Sequence, residues 1–234
     1  AIDPQTGAIR AMVGGRDFGV SRVNLATGQG GSGRQAGSAF KVFTLASALE
    51  LGAVEPEDRF FCENGSYAYA GKVLHDTHRY GELTVADIIK KSSNIGTAKL
   101  AMMLGSRRLA SYLAAFGLGG RTGIDLPGEV PGIIPTNQWA RRLFGRGIYS
   151  GETYQAGIGQ GYWAVTPLQL AHAIATLAGH GVPYAPRLVM SEQSGENNPP
   201  VPLVNPPTGP SLGARMGVTM MRRPSRSSTS PARW

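Results

Sequence analysis

The stretch Gly37-Ser38-Ala39-Phe40-Lys41-Val42-Phe43-Thr44-Leu45 opens a helical pattern that runs to Gly52 and decides how this sequence is interpreted. Apolar residues recur with helical period after Ser38, and Gly52 stands where a left-handed cap would end the helix. Side chains three residues apart on a helix are neighbours, so the Lys41 amine is expected to reach the Ser38 hydroxyl. The spacing therefore predicts a nucleophile beside its base. The alternative is that Ser38 caps the helix and Lys41 is a solvated charge, and this motif alone does not decide between them.

A second polar stretch, Lys90-Lys91-Ser92-Ser93-Asn94-Ile95-Gly96, lies between two helical patterns. The first pattern opens with a capping-box form at Thr84, and the second runs from Ile95 to Gly105. Ser92 and Asn94 at such a junction are able to face one cleft, where a hydroxyl would relay protons and an amide would hold a substrate amide or the lysine. The competing interpretation is that Ser93 and Asn94 only cap the second helix.

Taken together, these residues resemble the transpeptidase domain of bacterial penicillin-binding proteins, active-site serine acyltransferases that also react with β-lactams. Further segments are similar to the family in order along residues 1 to 190. They are Ala1–Gly15, Arg34–Lys41, Phe116–Gly119, Thr122–Glu129 and Gly157–Gly161 with Val165–Leu170. The resemblance implies an α+β fold (an α/β sandwich) with helices on both faces of a five-stranded antiparallel sheet. Residues 1–3 and 8–13 are expected to be its first strands, and three strands are expected to be missing, which leaves a helix-rich chain.

The resemblance also assigns roles to residues. Ser38 would attack the penultimate D-Ala carbonyl of a peptidoglycan stem peptide, with Lys41 as its base, Ser92 as proton relay and Asn94 orienting the substrate. The wall of the cleft would be formed by Gly159, Gln160 and Gly161. No cofactor or metal is implied.

Partners and location follow from the same resemblance. The expected partners are stem peptides, β-lactams as covalent inhibitors, and other cell-wall synthesis or division proteins. The expected location is the extracytoplasmic, periplasmic side of the cytoplasmic membrane, with any membrane anchor in upstream sequence. Features of both the bifunctional class A and the monofunctional class B occur, so the class stays open.

The family's third motif, Lys followed by Thr or Ser and then Gly, does not occur in these 234 residues. None of the five lysines precedes Thr-Gly or Ser-Gly, and Arg121-Thr122-Gly123 comes too early. We therefore expect residues 1–190 to form a partial transpeptidase domain and residues 191–234 to be a Pro-rich linker and basic tail, from truncation or a frameshift. Because that motif supplies an oxyanion donor and a carboxylate clamp in the family, we expect weak activity without it. An incomplete sheet also predicts poor solubility and low stability.

The net charge of +8 does not indicate nucleic-acid binding. Five arginines and no acidic residue follow residue 211, which leaves 18 basic against 15 acidic residues before it. Aromatic interleaving and a recognition helix are missing from the pattern, so a nucleic-acid partner is not expected. The group His75-Asp76-Thr77-His78 with Cys62 upstream does not fit a common zinc spacing.

Three other functions remain open at this stage. A D,D-carboxypeptidase or serine β-lactamase of the same superfamily would share the Ser38, Lys41 and Ser92 set and use water as acceptor. A non-catalytic remnant or binding module would keep the helices without turnover. A basic surface-binding protein would use residues 212–234 to bind polyanions.

Overall fold

The computed structural model describes residues 1–31, 33–193, 199–203 and 206–209. The helices are α1 (Lys41–Glu50), α2 (Val85–Lys90), α3 (Asn94–Ala115), α4 (Asn137–Phe144), α5 (Ser150–Ala156) and α6 (Pro167–Ala178). The strands are β1 (Arg59–Phe61), β2 (Ser66–Tyr69), β3 (Lys72–His75), β4 (Glu82–Thr84), β5 (Ser191–Glu192) and β6 (Val201–Pro202). The expected α+β class with a high helix content is confirmed.

Helix α3 lies at the centre of the molecule and packs against both α1 and α5. Its buried face includes Ile95, Leu100 and Leu104, and these side chains join Phe43 of α1 in one apolar core. Phe43 meets Phe116 edge to face, with ring centroids 5.0 Å apart. Burial of this apolar surface is the main force that holds the helices together, at roughly 25 cal/mol per Å².

Gly105 breaks α3 where the sequence predicts the helix from Ile95 to end. Its φ of 74° and ψ of 158° are non-helical, a conformation that a residue with a side chain rarely adopts. A helix resumes after this kink, so Asn94–Ala115 form one kinked element whose first part is the predicted helix.

Side-chain caps begin α2, as the capping-box form at Thr84 predicts, and α6. The hydroxyl of Thr84 accepts from the Asp87 N–H at 3.0 Å. At α6 the capping box is complete, because Thr166 Oγ1 accepts from the Gln169 N–H and Gln169 Oε1 accepts from the Thr166 N–H. Each capping hydroxyl satisfies a backbone donor that has no partner within the helix.

The strands form three two-stranded antiparallel pairs, β1 with β4, β2 with β3, and β5 with β6. The two strands predicted at residues 1–3 and 8–13 are much shorter than expected. They meet in a single bridge between Ile2 and Ile9, and Ala8 bridges Arg187 in parallel. The hairpin β2–β3 and helices α4 and α5 were not predicted from the sequence.

Large apolar side chains near the amino terminus are open to solvent. Val13 is 82% exposed, Phe18 74% and Val20 84%. Such exposure agrees with the expectation of poor solubility, which stays a prediction. Among the described residues, no helix combines the length and apolarity required to cross a bilayer. Most of the predicted linker and tail, residues 194–198, 204–205 and 210–234, lies outside the described residues.

The loop that follows α5 packs directly against the turn carrying Ser38. The Gly37 N–H donates to the Gly159 carbonyl at 3.1 Å. Gly159 has a φ of +72°, and a Cβ placed on it would lie 2.4 Å from the Gly37 carbonyl oxygen and 2.6 Å from Phe40 Cβ. Two backbone segments therefore touch at a point where only glycine fits.

This contact predicts that Gly159→Ala destabilises the protein more than Gly145→Ala does. Both glycines have positive φ, but a Cβ at Gly145 would meet nothing within 4 Å. The control should cost about 1–2 kcal/mol for its backbone conformation. Gly159→Ala should add about 1–3 kcal/mol for overpacking. Urea denaturation of both variants measures the difference, and equal losses would contradict the close contact.

Candidate active site

Ser38 lies in a short 3-10 helix, Gly37–Phe40, that leads directly into α1. Its side chain is exposed, and its carbonyl accepts from the Lys41 N–H. Because a 3-10 helix has three residues per turn, residues 38 and 41 stand on the same side of the turn. The hydroxyl is therefore accessible to a ligand at the start of a helix, where backbone N–H groups and the helix dipole favour negative charge.

Lys41 is almost completely buried, with only 1% of its surface exposed. Its Nζ donates to the Ser92 carbonyl at 2.5 Å and to Ser92 Oγ at 3.0 Å. Among the described residues both hydrogen-bond partners of this amine lie on Ser92 and none on Ser38, so the pairing of Ser38 with Lys41 as its base stays a prediction. A buried ammonium requires strong acceptors, and Ser92 supplies two of them.

Burial lowers the pKa of Lys41 to about 8 because water no longer solvates its charge, and the negative charge of Asp76 opposes this shift. An ordinary lysine keeps its proton at neutral pH, whereas a pKa near 8 gives a measurable fraction of neutral amine. Lys41 thus combines a position on the Ser38 side of the turn with the protonation equilibrium that a general base requires.

The loop that receives Lys41 holds an unusual backbone conformation. Ser92 has a φ of +53°, which is uncommon for a residue with a side chain. Ser93 follows as the N-cap of α3, and its Oγ accepts from the Gly96 N–H at 3.0 Å. The capping interpretation is therefore correct for Ser93, while the side chain of Asn94 is engaged elsewhere: its Nδ2 donates to the His75 carbonyl at 2.6 Å.

Asp76 is the residue of this site that the sequence did not reveal as functional. Its carboxylate accepts from Ser93 Oγ at 2.6 Å, from the Ile95 N–H at 3.2 Å and from the Asn94 N–H. It comes directly after β3, 17 residues before Ser93, and no local motif spans that separation. Within the described part of the chain, no group of three or more His, Cys, Asp or Glu residues is arranged to bind a metal.

The loop containing Gly159, Gln160 and Gly161 lies beside the Ser38 turn. Gln35 Nε2 donates to the Gly161 carbonyl at 2.7 Å, which fixes the loop to the segment preceding Ser38. Gln160 is exposed, and Gly159 is buried against the turn. The loop therefore carries an exposed polar side chain, and its backbone is hydrogen-bonded to the segment that leads to Ser38.

A cavity of about 280 Å³ lies on another side of this loop, and none of Ser38, Lys41, Ser92 or Asn94 lines it. It meets the predicted cleft wall only at Gly161. The cavity is thus separate from both the exposed Ser38 and the buried Lys41.

Known proteins share sequence and fold with this chain. The family model for the penicillin binding protein transpeptidase domain matches residues 1–222. The peptidoglycan D,D-transpeptidase MrdA of Salmonella typhimurium is 35% identical over 163 residues, which are 68% of this chain and 26% of the relative. This chain therefore spans about a quarter of the length of that relative. Class B-like penicillin-binding proteins are among the matched relatives.

Two solved structures have the same fold. Penicillin-binding protein 3 of Mycobacterium tuberculosis, complexed with aztreonam, has a TM-score of 0.70 and 27% identity, covering 88% of this chain and 45% of that one. A subunit of a peptidoglycan synthase complex that coordinates polymerization and crosslinking has a TM-score of 0.73 and 28% identity, covering 88% of this chain and 37% of the other. This chain belongs to the penicillin-binding protein transpeptidase family.

Proposed function

We propose that this chain carries the serine acyl-transfer centre of a peptidoglycan D,D-transpeptidase. The observation that supports this most strongly is the buried Lys41 amine, hydrogen-bonded to Ser92 and one turn from an exposed Ser38. A solvated surface lysine would have neither this burial nor these acceptors. Membership of the transpeptidase family adds the substrate class, the D-Ala-D-Ala end of a stem peptide.

In the acylation step, Ser38 Oγ attacks the carbonyl carbon of the penultimate D-Ala. The hydroxyl proton passes to neutral Lys41 Nζ, either directly or through Ser92 Oγ. The bond from the carbonyl carbon to the leaving nitrogen breaks, and the proton is delivered to that nitrogen. D-Ala therefore departs with a neutral amine, and Ser38 carries the acyl group as an ester. An acceptor amine then attacks the ester, the bond to Ser38 Oγ breaks, and the proton that the amine loses returns to Oγ through Lys41.

Other residues orient the substrate in this proposal. Asn94, whose Nδ2 already donates to the His75 carbonyl, would accept from the stem-peptide amide through Oδ1, and Gln160 and Gly161 with Gly159 would form a wall of the cleft. The backbone N–H of Ser38 would be the oxyanion donor that this turn supplies, because the Gly37 N–H already donates to the Gly159 carbonyl. These 234 residues contain no Lys-Thr-Gly or Lys-Ser-Gly, so the second oxyanion donor of the family is not supplied by them.

Partners and location follow from the relatives. β-Lactams would acylate Ser38, since a homologous penicillin-binding protein is solved with aztreonam. Other peptidoglycan synthesis proteins would assemble with the protein, as they do in the synthase complex. The chemistry would take place outside the cytoplasm, where peptidoglycan is crosslinked.

A hydrolase of the superfamily would share Ser38, Lys41 and Ser92. The acceptor distinguishes the transpeptidase from the hydrolase, because an amine gives a crosslinked product and water gives a trimmed stem peptide.

Covalent labelling by a fluorescent penicillin tests the nucleophile and the base. We expect slow labelling of the 234-residue chain, roughly 10²–10³ below that of a relative with all three motifs, because one oxyanion donor is lacking. Ser38→Ala should abolish the label, and Lys41→Ala should slow it by about 10²–10⁴. Lys90→Ala, which removes an exposed lysine on α2, is the matched control and should leave the rate unchanged. Intact mass spectrometry after long incubation locates the label, and an adduct that persists in Ser38→Ala would refute the proposal.

The pH dependence of labelling tests the protonation state of Lys41. With a pKa of about 8, roughly one amine in ten is neutral at pH 7, and this fraction rises as the pH passes through 8. We therefore expect the labelling rate to increase about tenfold between pH 7 and a plateau above pH 9. A rate that stays flat over this range, or falls, would show that Lys41 does not act as the base.

A further inference from the structure

Asp76 accepts hydrogen bonds from the Ser92–Asn94 loop, which holds the Lys41 amine, and from the residue that follows it. Its two carboxylate oxygens accept from one side-chain hydroxyl and two backbone N–H groups, those of Ser93, Asn94 and Ile95. These three consecutive residues form the start of α3, and Ser92 comes directly before them. A single carboxylate at the end of β3 therefore fixes the position of the loop against a hairpin that is distant in sequence.

Such external support matters because the loop does not hold its shape by local preference. The φ of +53° at Ser92 is a sparsely populated conformation for serine, and it persists only where the surroundings enforce it. That conformation directs both the carbonyl and the hydroxyl of Ser92 to Lys41 Nζ. The contacts thus run in series from Asp76 through Ser93 and Asn94 to Ser92, and from Ser92 to the amine.

Asp76 also acts on Lys41 through its charge. Its carboxylate favours the ammonium form and opposes the effect of burial on the pKa. Other titratable groups nearby have local partners or stay neutral: Lys99 is paired with Glu63 at 2.6 Å, and burial raises the pKa of the Cys62 thiol. His75 contributes its backbone carbonyl to Asn94, and Lys91 lies over the ring of Tyr80.

We propose that Asp76 is a positioning residue of the acylation site, which fixes the Ser92–Asn94 loop for Lys41 and supplies the negative charge that acts on the lysine amine. It does not touch the reacting atoms, so its effect on catalysis passes through Lys41 and Ser92. The catalytic meaning of this role rests on the function proposed above, but the structural and electrostatic parts can be measured without any turnover.

NMR titration of the lysine side chains in the full chain tests the electrostatic part. The chain has only five lysines, so selective isotope labelling gives five signals, and Lys41→Arg identifies that of Lys41. Asp76→Asn keeps an acceptor for the loop and removes the charge. We expect it to lower the pKa of Lys41 by about half to one unit, because a nearby negative charge no longer stabilises the ammonium.

Asp125→Asn is the matched control for this titration. Asp125 also accepts two backbone N–H groups, those of Leu188 and Val189, and it is not part of the loop at Lys41. The same substitution there should leave the pKa of Lys41 unchanged. Equal values of that pKa in both variants and the parent chain would overturn the electrostatic role.

Amide hydrogen exchange tests the positioning part. Asp76→Ala removes every acceptor of the carboxylate, so the Asn94 and Ile95 amides should exchange at least about tenfold faster, while Asp76→Asn should change them little. Unchanged protection in a folded Asp76→Ala variant would refute positioning. If Asp76→Ala does not fold, exchange is measured in Asp76→Leu and the titration of Asp76→Asn still decides the electrostatic role.

Penicillin labelling then connects Asp76 to the chemistry. In Asp76→Asn the rising limb of the rate against pH should move to lower pH by the same shift as the NMR pKa. A shift of the NMR pKa without any labelling of the parent chain would contradict the proposed function and leave the role of Asp76 intact. A labelling profile that does not move although the NMR pKa does would show that Asp76 has no effect on catalysis through Lys41.

Discussion

The hydrogen bonds between Lys41 Nζ and Ser92 are the interaction on which the rest of this structure depends. They join the first residue of α1 to the loop before α3, and so bring the nucleophile turn next to the start of the central helix. A buried ammonium without these acceptors would cost several kcal/mol, so the contact with Ser92 stabilises the buried position of Lys41. The core below, where Phe43 meets Phe116, holds α1 in the orientation that this contact requires.

Much of the helical architecture could be predicted because its signals are local. At the start of α6, Thr166 and Gln169 are three residues apart, and each side chain accepts from the backbone N–H of the other residue. This exchange needs no contribution from distant residues, so it can be predicted from the local sequence. The glycine at position 105 interrupts an apolar pattern and interrupts the helix at the same place. By contrast, the short α5 and the β2–β3 hairpin carry weak periodicity and depend on packing against distant residues, as Tyr154 does when its hydroxyl donates to the Tyr67 carbonyl.

For the site, the sequence led to the residues but not to their contacts. The three-residue spacing of Ser38 and Lys41 suggested a direct hydrogen bond, yet the long lysine side chain turns to a loop 51 residues away in sequence. Asp76 could not be found, because its role depends on three donors that only the folded chain brings within reach. The length of the strands predicted within residues 1–13 was overestimated for a related reason. These residues have strand-like alternation, but the pairing partners that the fold provides decide how many of them join a sheet.

The burial of Lys41 has a consequence for the unfolded chain. In water this side chain has the pKa of any lysine and keeps its proton at neutral pH. The pKa falls, and part of the amine becomes neutral, only after segments remote in sequence have come together to bury it. Contacts of that kind form slowly in comparison with local helices. A nascent or locally opened molecule therefore contains the serine without an activated partner, and the chemistry is withheld until assembly is complete.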